Sequence, residues 1–278
     1  MNMLEDGFVD KFISSRFNFS RSEKSKIILD QFQASKENFE RIIQKSRKSS
    51  TTVFAIKYKD GVVIAGDRRT SDGYFGVASD TTVKVRQLSK FSAMASSGFC
   101  NVIEETDRQM KQELKSFLDL YGKEVSPDGQ ARYLSTILDQ WWFLMLMGIP
   151  YGIGAPILAA YDVFFETPRI FWFDVDGYFM EVPFFGGTGC GFSVIQNLVI
   201  DRWKENMTRS QTVDLAIRAM IHSGRASHGV SEATITPPTV AIIDKSGFRW
   251  IPKEIIEAGI KNIYGSMEGL KCLLKTNQ

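Results

Sequence analysis

The sequence predicts an α+β fold on three observations. Two runs of β-patterned segments, at 51–96 and 156–182, are each followed by a pair of helical segments, and a last hairpin at 239–251 leads into one more helix. Patterning switches between period 2 and period 3.6 along the chain, which sets the class but not the stacking of the layers. A hydrophobic fraction of 44% over 278 residues supplies a large core.

Residues 1–50 differ in character from the rest of the chain. They hold ten Lys or Arg against seven Asp or Glu, while the remainder is nearly neutral, at 24 against 25. Ser20-Arg21-Ser22-Glu23 has the form of a capping box, and Ile27, Ile28, Phe32, Phe39, Ile42 and Ile43 recur at helical spacing. An amphipathic helix is expected over 21–44, ending in polar residues 45–50.

At the border the composition turns apolar. Residues 51–58 and 62–69 are rich in β-branched and aromatic side chains and flank Lys59-Asp60-Gly61, a hairpin signal. Further strands are expected at 76–87 and 91–96, with a tight connection at Leu88-Ser89-Lys90. Helices follow over 101–121 and 128–147, carrying Met110, Leu114, Leu134, Ile137 and Leu138. The uncharged run 141–161 is long enough by count to cross a bilayer. Gly148, Pro150, Gly152, Gly154 and Pro156 interrupt it, so it reads as helix end, loop and buried strand. Strands at 156–163, 169–174 and 178–182 precede the glycine-rich turn 186–191, which opens a helix over 192–203. That turn lacks the Gly-Lys-Ser/Thr ending of a phosphate loop. A helix over 210–223, the hairpin 239–251 around Lys245-Ser246-Gly247, a short helix over 252–263 and a mixed tail over 264–278 complete the chain.

The border threonine carries chemistry. If the chain is cut before Thr51, hydroxyl nucleophile and α-amine base share one residue, and an amine of pKa about 7.7–8.0 accepts a proton near neutrality. A nearby lysine keeps that amine neutral, and a carboxylate holds the lysine.

Thr51-Thr52-Val53, then Gly61-Val62-Val63-Ile64-Ala65-Gly66-Asp67-Arg68-Arg69, then Val83-Lys84-Val85, resemble the start of a mature proteasome β subunit of the bacterial type. The resemblance covers about 51–263. It implies the four-layer αββα sandwich of N-terminal nucleophile hydrolases, with 1–50 a helical propeptide removed by self-cleavage at Ser50–Thr51, 51–263 the peptidase domain and 264–278 a tail. It implies that Thr51 attacks, Asp67 holds Lys84, Lys84 tunes the amine, and the Gly98 N–H stabilises the oxyanion. Thr188 takes the place of a serine hydroxyl near the amine, and Ser227 that of the last hydroxyl of the network. Thr70, Thr82, Arg86, Ser96 and Cys100 are implied to line the substrate pocket, with Ser71 bonding an extended substrate strand. Reaching Lys84 takes one extra residue, placed at a hairpin tip around 72–74.

Two positions depart from the family. Ser50 stands where glycine usually precedes the nucleophile, and Gly224 stands where an aspartate belongs in the turn 224–229. His222 and His228 flank that gap and read as surface or packing residues. The expected activity is a threonine endopeptidase hydrolysing peptide bonds of unfolded proteins. Heptameric rings of β subunits, α-subunit rings and a ring-shaped ATPase unfoldase are the partners the resemblance implies. A silent ring subunit and a hydrolase of small amides are the alternatives.

Composition narrows the rest. A net charge of +2 without a block of five like charges argues against nucleic acid. Cys100, Cys190 and Cys272 have no metal-ligand spacing and suit a reducing, cytoplasmic setting, with neither metal nor cofactor expected. The charged first twenty residues do not form a secretory signal, and no membrane span is expected.

Overall fold

The structure, a computed structural model, describes residues 51–72, 76–146, 154–227 and 230–276; the side chains of 71–72, 76–78, 145–146 and 266–276 lie outside that description. The expected helix over 21–44, the hairpin tip and Ser50 also lie outside the described residues.

Strands β1 (Val53–Tyr58) and β2 (Gly61–Gly66) form the expected hairpin, paired from Val53↔Gly66 to Tyr58↔Gly61 around Lys59-Asp60. They are central in a five-stranded antiparallel sheet of order β10-β1-β2-β11-β12, with β10 at Phe185–Thr188, β11 at Thr239–Asp244 and β12 at Gly247–Trp250. The second sheet has the order β5-β6-β7-β8-β9, from Val85–Ser89, Ser92–Gly98, Gly154–Asp162, Thr167–Phe173 and Phe179–Glu181. A separate two-stranded ribbon pairs β3 (Thr70–Asp72) with β4 (Gly76–Ser79).

Alternation along the central strands makes three cores. Val53, Ala55, Val62, Ile64, Ala241 and Ile243 face the other sheet and meet Ala93, Ala95, Ile157 and Ile170. Phe54, Ile56, Val63, Ala65, Val240 and Ile242 face the opposite way, onto helices α3 (Phe192–Arg202), α4 (Arg209–Ala226) and α5 (Lys253–Thr276). Beyond the second sheet, Met94, Leu158, Phe171 and Phe173 pack on Met110 and Leu114 of α1 (Cys100–Tyr121) and on Leu134, Ile137 and Leu138 of α2 (Pro127–Leu146). Helix, sheet, sheet, helix is the four-layer αββα sandwich. Because strands β1 and β2 are covered on both faces, they read as continuous apolar runs.

Helix ends follow local chemistry. α1 stops where Gly122, at φ 65°, turns left-handed and donates its N–H to Leu118 O. Thr208 and Gln211 form a capping box that starts α4.

Three expectations are corrected. The strand expected over 76–87 is two strands, because residues 80–84 leave the ladder: Thr82 N–H bonds Arg68 O and Asp80 takes a bidentate ion pair from Arg69. Lys84 therefore sits just before β5, not on a strand. The glycine-rich segment read as a turn begins with β10, an edge strand on β1. Its glycines answer to neighbours, since a Cβ on Gly187 would lie 2.5 Å from both the Phe192 ring and Val53 O. The last helix continues to Thr276 instead of ending near 263.

Candidate active site

The site forms where the ends of β1, β2, β6 and β10 meet the segment before β5. Thr51 and Thr52 precede β1, and Asp67 follows β2, so the hairpin register sets the two ends side by side. Thr52 N–H donates to Asp67 Oδ1 at 2.8 Å, and Asp67 N–H donates to Thr52 O at 3.0 Å. Asp67 Oδ2 accepts the Arg69 N–H at 2.9 Å, so its carboxylate is oriented by two backbone donors.

Lys84 completes the arrangement. Its Nζ donates to Asp67 Oδ1 at 2.8 Å and to Thr51 Oγ1 at 2.9 Å. All three residues are buried: Thr51 is 6% exposed, Asp67 1% and Lys84 9%. Burial pulls the Lys84 pKa below the ordinary lysine value, against the charge and hydrogen bond of Asp67 and the weaker pull of the Cys100 and Cys190 thiols. A buried cation aimed at a hydroxyl oxygen is the arrangement that stabilises an alkoxide and disfavours a second positive charge nearby.

The backbone of Thr51 is held from the other side. Gly191 N–H donates to Thr51 O at 3.2 Å, and Cys190 Sγ lies 4.0 Å from the same oxygen. Gly189 has φ 93°, and a Cβ there would come within 2.1 Å of Thr51 O, so both conformation and space demand glycine. The buried hydroxyls of Thr52 and Ser223 hydrogen-bond each other, tying β1 to α4.

The other expected residues distribute as follows. Gly98 ends β6 at φ 128° and lines a pocket of about 70 Å3 with Thr51, Thr70, Thr82, Lys84, Arg86, Ser96 and Cys100. Five of the six expected substrate-contacting residues thus meet beside Thr51. The sixth, Ser71, lies on β3 opposite Val77. Arg86 faces Asp107 at 3.5 Å and Glu104 at 3.8 Å, so the pocket's cation has acidic neighbours. The Thr188 hydroxyl bonds the Ser97 hydroxyl at 2.9 Å. Ser227 ends α4 and lies 3.9 Å, Oγ to Sγ, from Cys190, which links it to the Thr51 carbonyl. His222 is exposed on α4, and His228 lies outside the described residues.

Sequence reasoning missed Thr52, Ser223, Gly189 and Gly191, and also Ser231, whose Oγ accepts the Arg68 N–H beside Asp67 at 3.1 Å. The glycine-rich turn was the available signal for Gly189 and Gly191, while the serines gave none. A wider groove of about 630 Å3 beside α3 and α4, lined by Arg202, Glu205, Asp214 and Arg218 among others, contains none of the candidate residues. Among the described residues no cluster of metal ligands occurs and no helix is long and apolar enough to cross a membrane.

The double sheet between helix layers, with a threonine opening its central hairpin beside a buried Lys–Asp pair, is the architecture of an N-terminal nucleophile hydrolase. A family model described as "Proteasome subunit" matches residues 47–236, and the chain belongs to that family. Similar curated proteins include the proteasome subunit beta of Jonesia denitrificans, 31% identical over 77% of this chain and 70% of that protein. Those of Streptomyces griseus (30% identical, 72% and 70%) and Acidimicrobium ferrooxidans (30% identical, 74% and 76%) are comparably similar. The family match begins just before Thr51 and leaves most of the first fifty residues outside.

Proposed function

We propose that this chain is a threonine endopeptidase subunit of a proteasome core particle, active after the bond between Ser50 and Thr51 is cut. The single observation that carries the reading is the Lys84 ammonium, buried and donating at once to Thr51 Oγ1 and Asp67 Oδ1.

In this mechanism the extension keeps the Thr51 nitrogen an amide, which cannot serve as a base. Attack of Thr51 Oγ1 on the Ser50 carbonyl, followed by hydrolysis of the resulting ester, frees the α-amine. That amine takes the hydroxyl proton when Thr51 attacks a substrate carbonyl, and returns it to the leaving amine. Lys84 lowers the cost of the developing oxygen charge and, as a nearby cation, favours the neutral amine. Gly98 N–H would receive the tetrahedral oxyanion, a contribution worth roughly 2.7–4 kcal/mol per donor. Water then hydrolyses the acyl-enzyme. Substrates are extended segments of unfolded polypeptide, bound by strand-like hydrogen bonds to the β3 region with side chains in the pocket around Arg86 and Ser96. Rings of β-type subunits, α-subunit rings, an ATPase unfoldase and a cytoplasmic setting belong to the same reading.

Mass spectrometry of the purified, assembled protein tests it by reading the N-terminal residue. Thr51 at the start, together with loss of both trimming and peptide cleavage in Thr51→Ala, supports the peptidase. An intact first residue, or cleavage that survives Thr51→Ala, counts against it. One observation favours a silent ring subunit: a Cβ on Gly224 would lie 2.7 Å from Ser231 O, so the space of the family's aspartate is occupied by backbone. The same spectrum separates the two readings.

A further inference from the structure

Gly224, expected to open a turn, instead lies in the last turn of α4, which runs to Ala226, and the segment after the helix folds back over it. The backbone of 231–232 closes over Gly224: a Cβ on Gly224 would meet Ser231 O at 2.7 Å and Glu232 Cα at 3.3 Å. The same approach brings Ser231, 4% exposed, against the end of β2, where its Oγ accepts the Arg68 N–H at 3.1 Å. Arg68 is the middle residue of Asp67-Arg68-Arg69, whose outer members are already tied, Asp67 N–H to Thr52 O and Arg69 N–H to the Asp67 carboxylate. All three backbone donors of this turn are therefore satisfied, and the middle one reaches across 163 residues of sequence.

We propose that Ser231 is a positioning residue for the Lys84–Asp67 pair, taking over from a different element the bracing role left vacant at Gly224. It acts by holding the peptide that aims the Asp67 carboxylate. The carboxylate in turn fixes the ammonium at 2.8 Å and, through it, the nucleophilic oxygen at 2.9 Å. Ser231 acts through Asp67 and Lys84 and not on the reacting atoms themselves. The inference rests on the reading of Thr51 as nucleophile, but its geometric part stands apart from activity.

Two consequences follow. Removing the hydroxyl loosens the turn, so that Asp67 supports the Lys84 charge less well and the lysine loses its proton at lower pH. Adding a carboxylate at 224 does not restore the family arrangement, because the backbone of 231–232 must first be pushed out, taking the Ser231 hydroxyl with it.

The test compares Ser231→Ala, Ser231→Thr and Gly224→Asp with the unaltered assembled protein. Amide hydrogen exchange of a peptide covering Arg68 is expected to be about tenfold faster in Ser231→Ala, of the order of one lost hydrogen bond, and close to unaltered in Ser231→Thr. In fluorogenic peptide hydrolysis, Ser231→Ala is expected to lower kcat three- to tenfold, roughly the same bond, with KM little changed. The alkaline limb of its kcat profile is expected to move to lower pH, a shift that mere loss of folded protein does not produce. Gly224→Asp is expected to lower activity and speed the same exchange. Unchanged Arg68 exchange in Ser231→Ala, an unmoved alkaline limb, or a Gly224→Asp variant more active than the parent each overturns the proposal. If the parent itself cleaves nothing, the peptidase reading fails, and the exchange comparison still decides whether Ser231 clamps the turn.

Discussion

Replacing Lys84 by methionine removes the charge while keeping most of the side-chain volume, and the structure sets the size of the effect. Two contributions add. The first is the hydrogen bond from Nζ to Thr51 Oγ1, which as a charge-assisted bond contributes about 1.5–3 kcal/mol, a factor of roughly 10 to 150. The second is the field on the freed α-amine. A cation bonded to the hydroxyl of the same residue disfavours a second positive charge there and so lowers the amine pKa. Without that cation the amine returns toward its ordinary pKa of about 7.7–8.0 and is roughly nine-tenths protonated at pH 7. Together these predict a loss of about 10²–10³ in kcat at neutral pH. A signature accompanies the loss: the residual activity of Lys84→Met rises between pH 6 and about 8.5 as the amine titrates. Stability also falls, by about 3 kcal/mol, the low end for a broken buried pair, because Asp67 keeps the Thr52 and Arg69 N–H donors. The assay is fluorogenic peptide hydrolysis from pH 5.5 to 9.5 on particles whose assembly is verified by native mass spectrometry, alongside the N-terminal mass. A well-assembled Lys84→Met particle within threefold of the parent at pH 7 would refute the role given to the ammonium.

Further perturbations test other parts of the structure. Gly189→Ala must place a Cβ against Thr51 O at φ 93°; on the proposed reading, strain of about 1–3 kcal/mol at Thr51 predicts at least a severalfold fall in both cleavage before Thr51 and peptide hydrolysis, read by mass spectrometry and hydrolysis rate. Phe54→Ala removes a fully buried ring from the core between the central sheet and α3–α5, and is expected to cost about 3–5 kcal/mol, read as a lower urea midpoint of the unassembled chain. The pH dependence has a defined sign. The unfolded chain keeps the Lys84 proton up to the ordinary lysine value of 10.5, whereas burial makes the folded chain release it earlier. Folding stability therefore gains with rising pH between the depressed folded value and 10.5, and the gain is lost again as pH falls through the folded value. Denaturation midpoints measured as pH is raised toward 10.5 should show this slope in the parent and not in Lys84→Met, while peptide hydrolysis, which needs the ammonium, declines as the pH passes the folded value.

Much of this was legible from residues alone. The central hairpin announced itself because Val, Ile, Phe and Ala on both sides of Lys59-Asp60-Gly61 carry a strand signal independent of context, and the helices over 101–121 and 128–147 followed from the stripes Met110, Leu114 and Leu134, Ile137, Leu138. Thr51 stood out because a terminal threonine joins hydroxyl and amine in one residue, while Asp67 and Lys84 were singled out by the resemblance to proteasome β subunits. What stayed hidden depended on neighbours remote in sequence. The strand β10 escaped notice since its glycines weaken any local β signal, and they are there because Phe192, Val182 and the Val53 carbonyl leave no room for a Cβ. The break at 80–84 is set by the Arg69–Asp80 pair and the Arg68 carbonyl, which no periodicity encodes. Ser223 and Ser231 looked like ordinary polar residues of a helix and a loop until the fold set them against Thr52 and Arg68.

By itself, then, the amino-acid order determined the class of the fold and its central hairpin, and it singled out Thr51, Asp67 and Lys84 as candidates, because local propensity and chemical type reside in short stretches of chain. The tertiary structure alone decided that the buried Lys84 ammonium lies 2.9 Å from the Thr51 hydroxyl and 2.8 Å from the Asp67 carboxylate, and that the backbone of 231–232 fills the space beside Gly224. The reason is physical: distance, burial and the resulting depression of the Lys84 pKa arise from contacts between segments far apart along the chain, which exist only once the layers have packed.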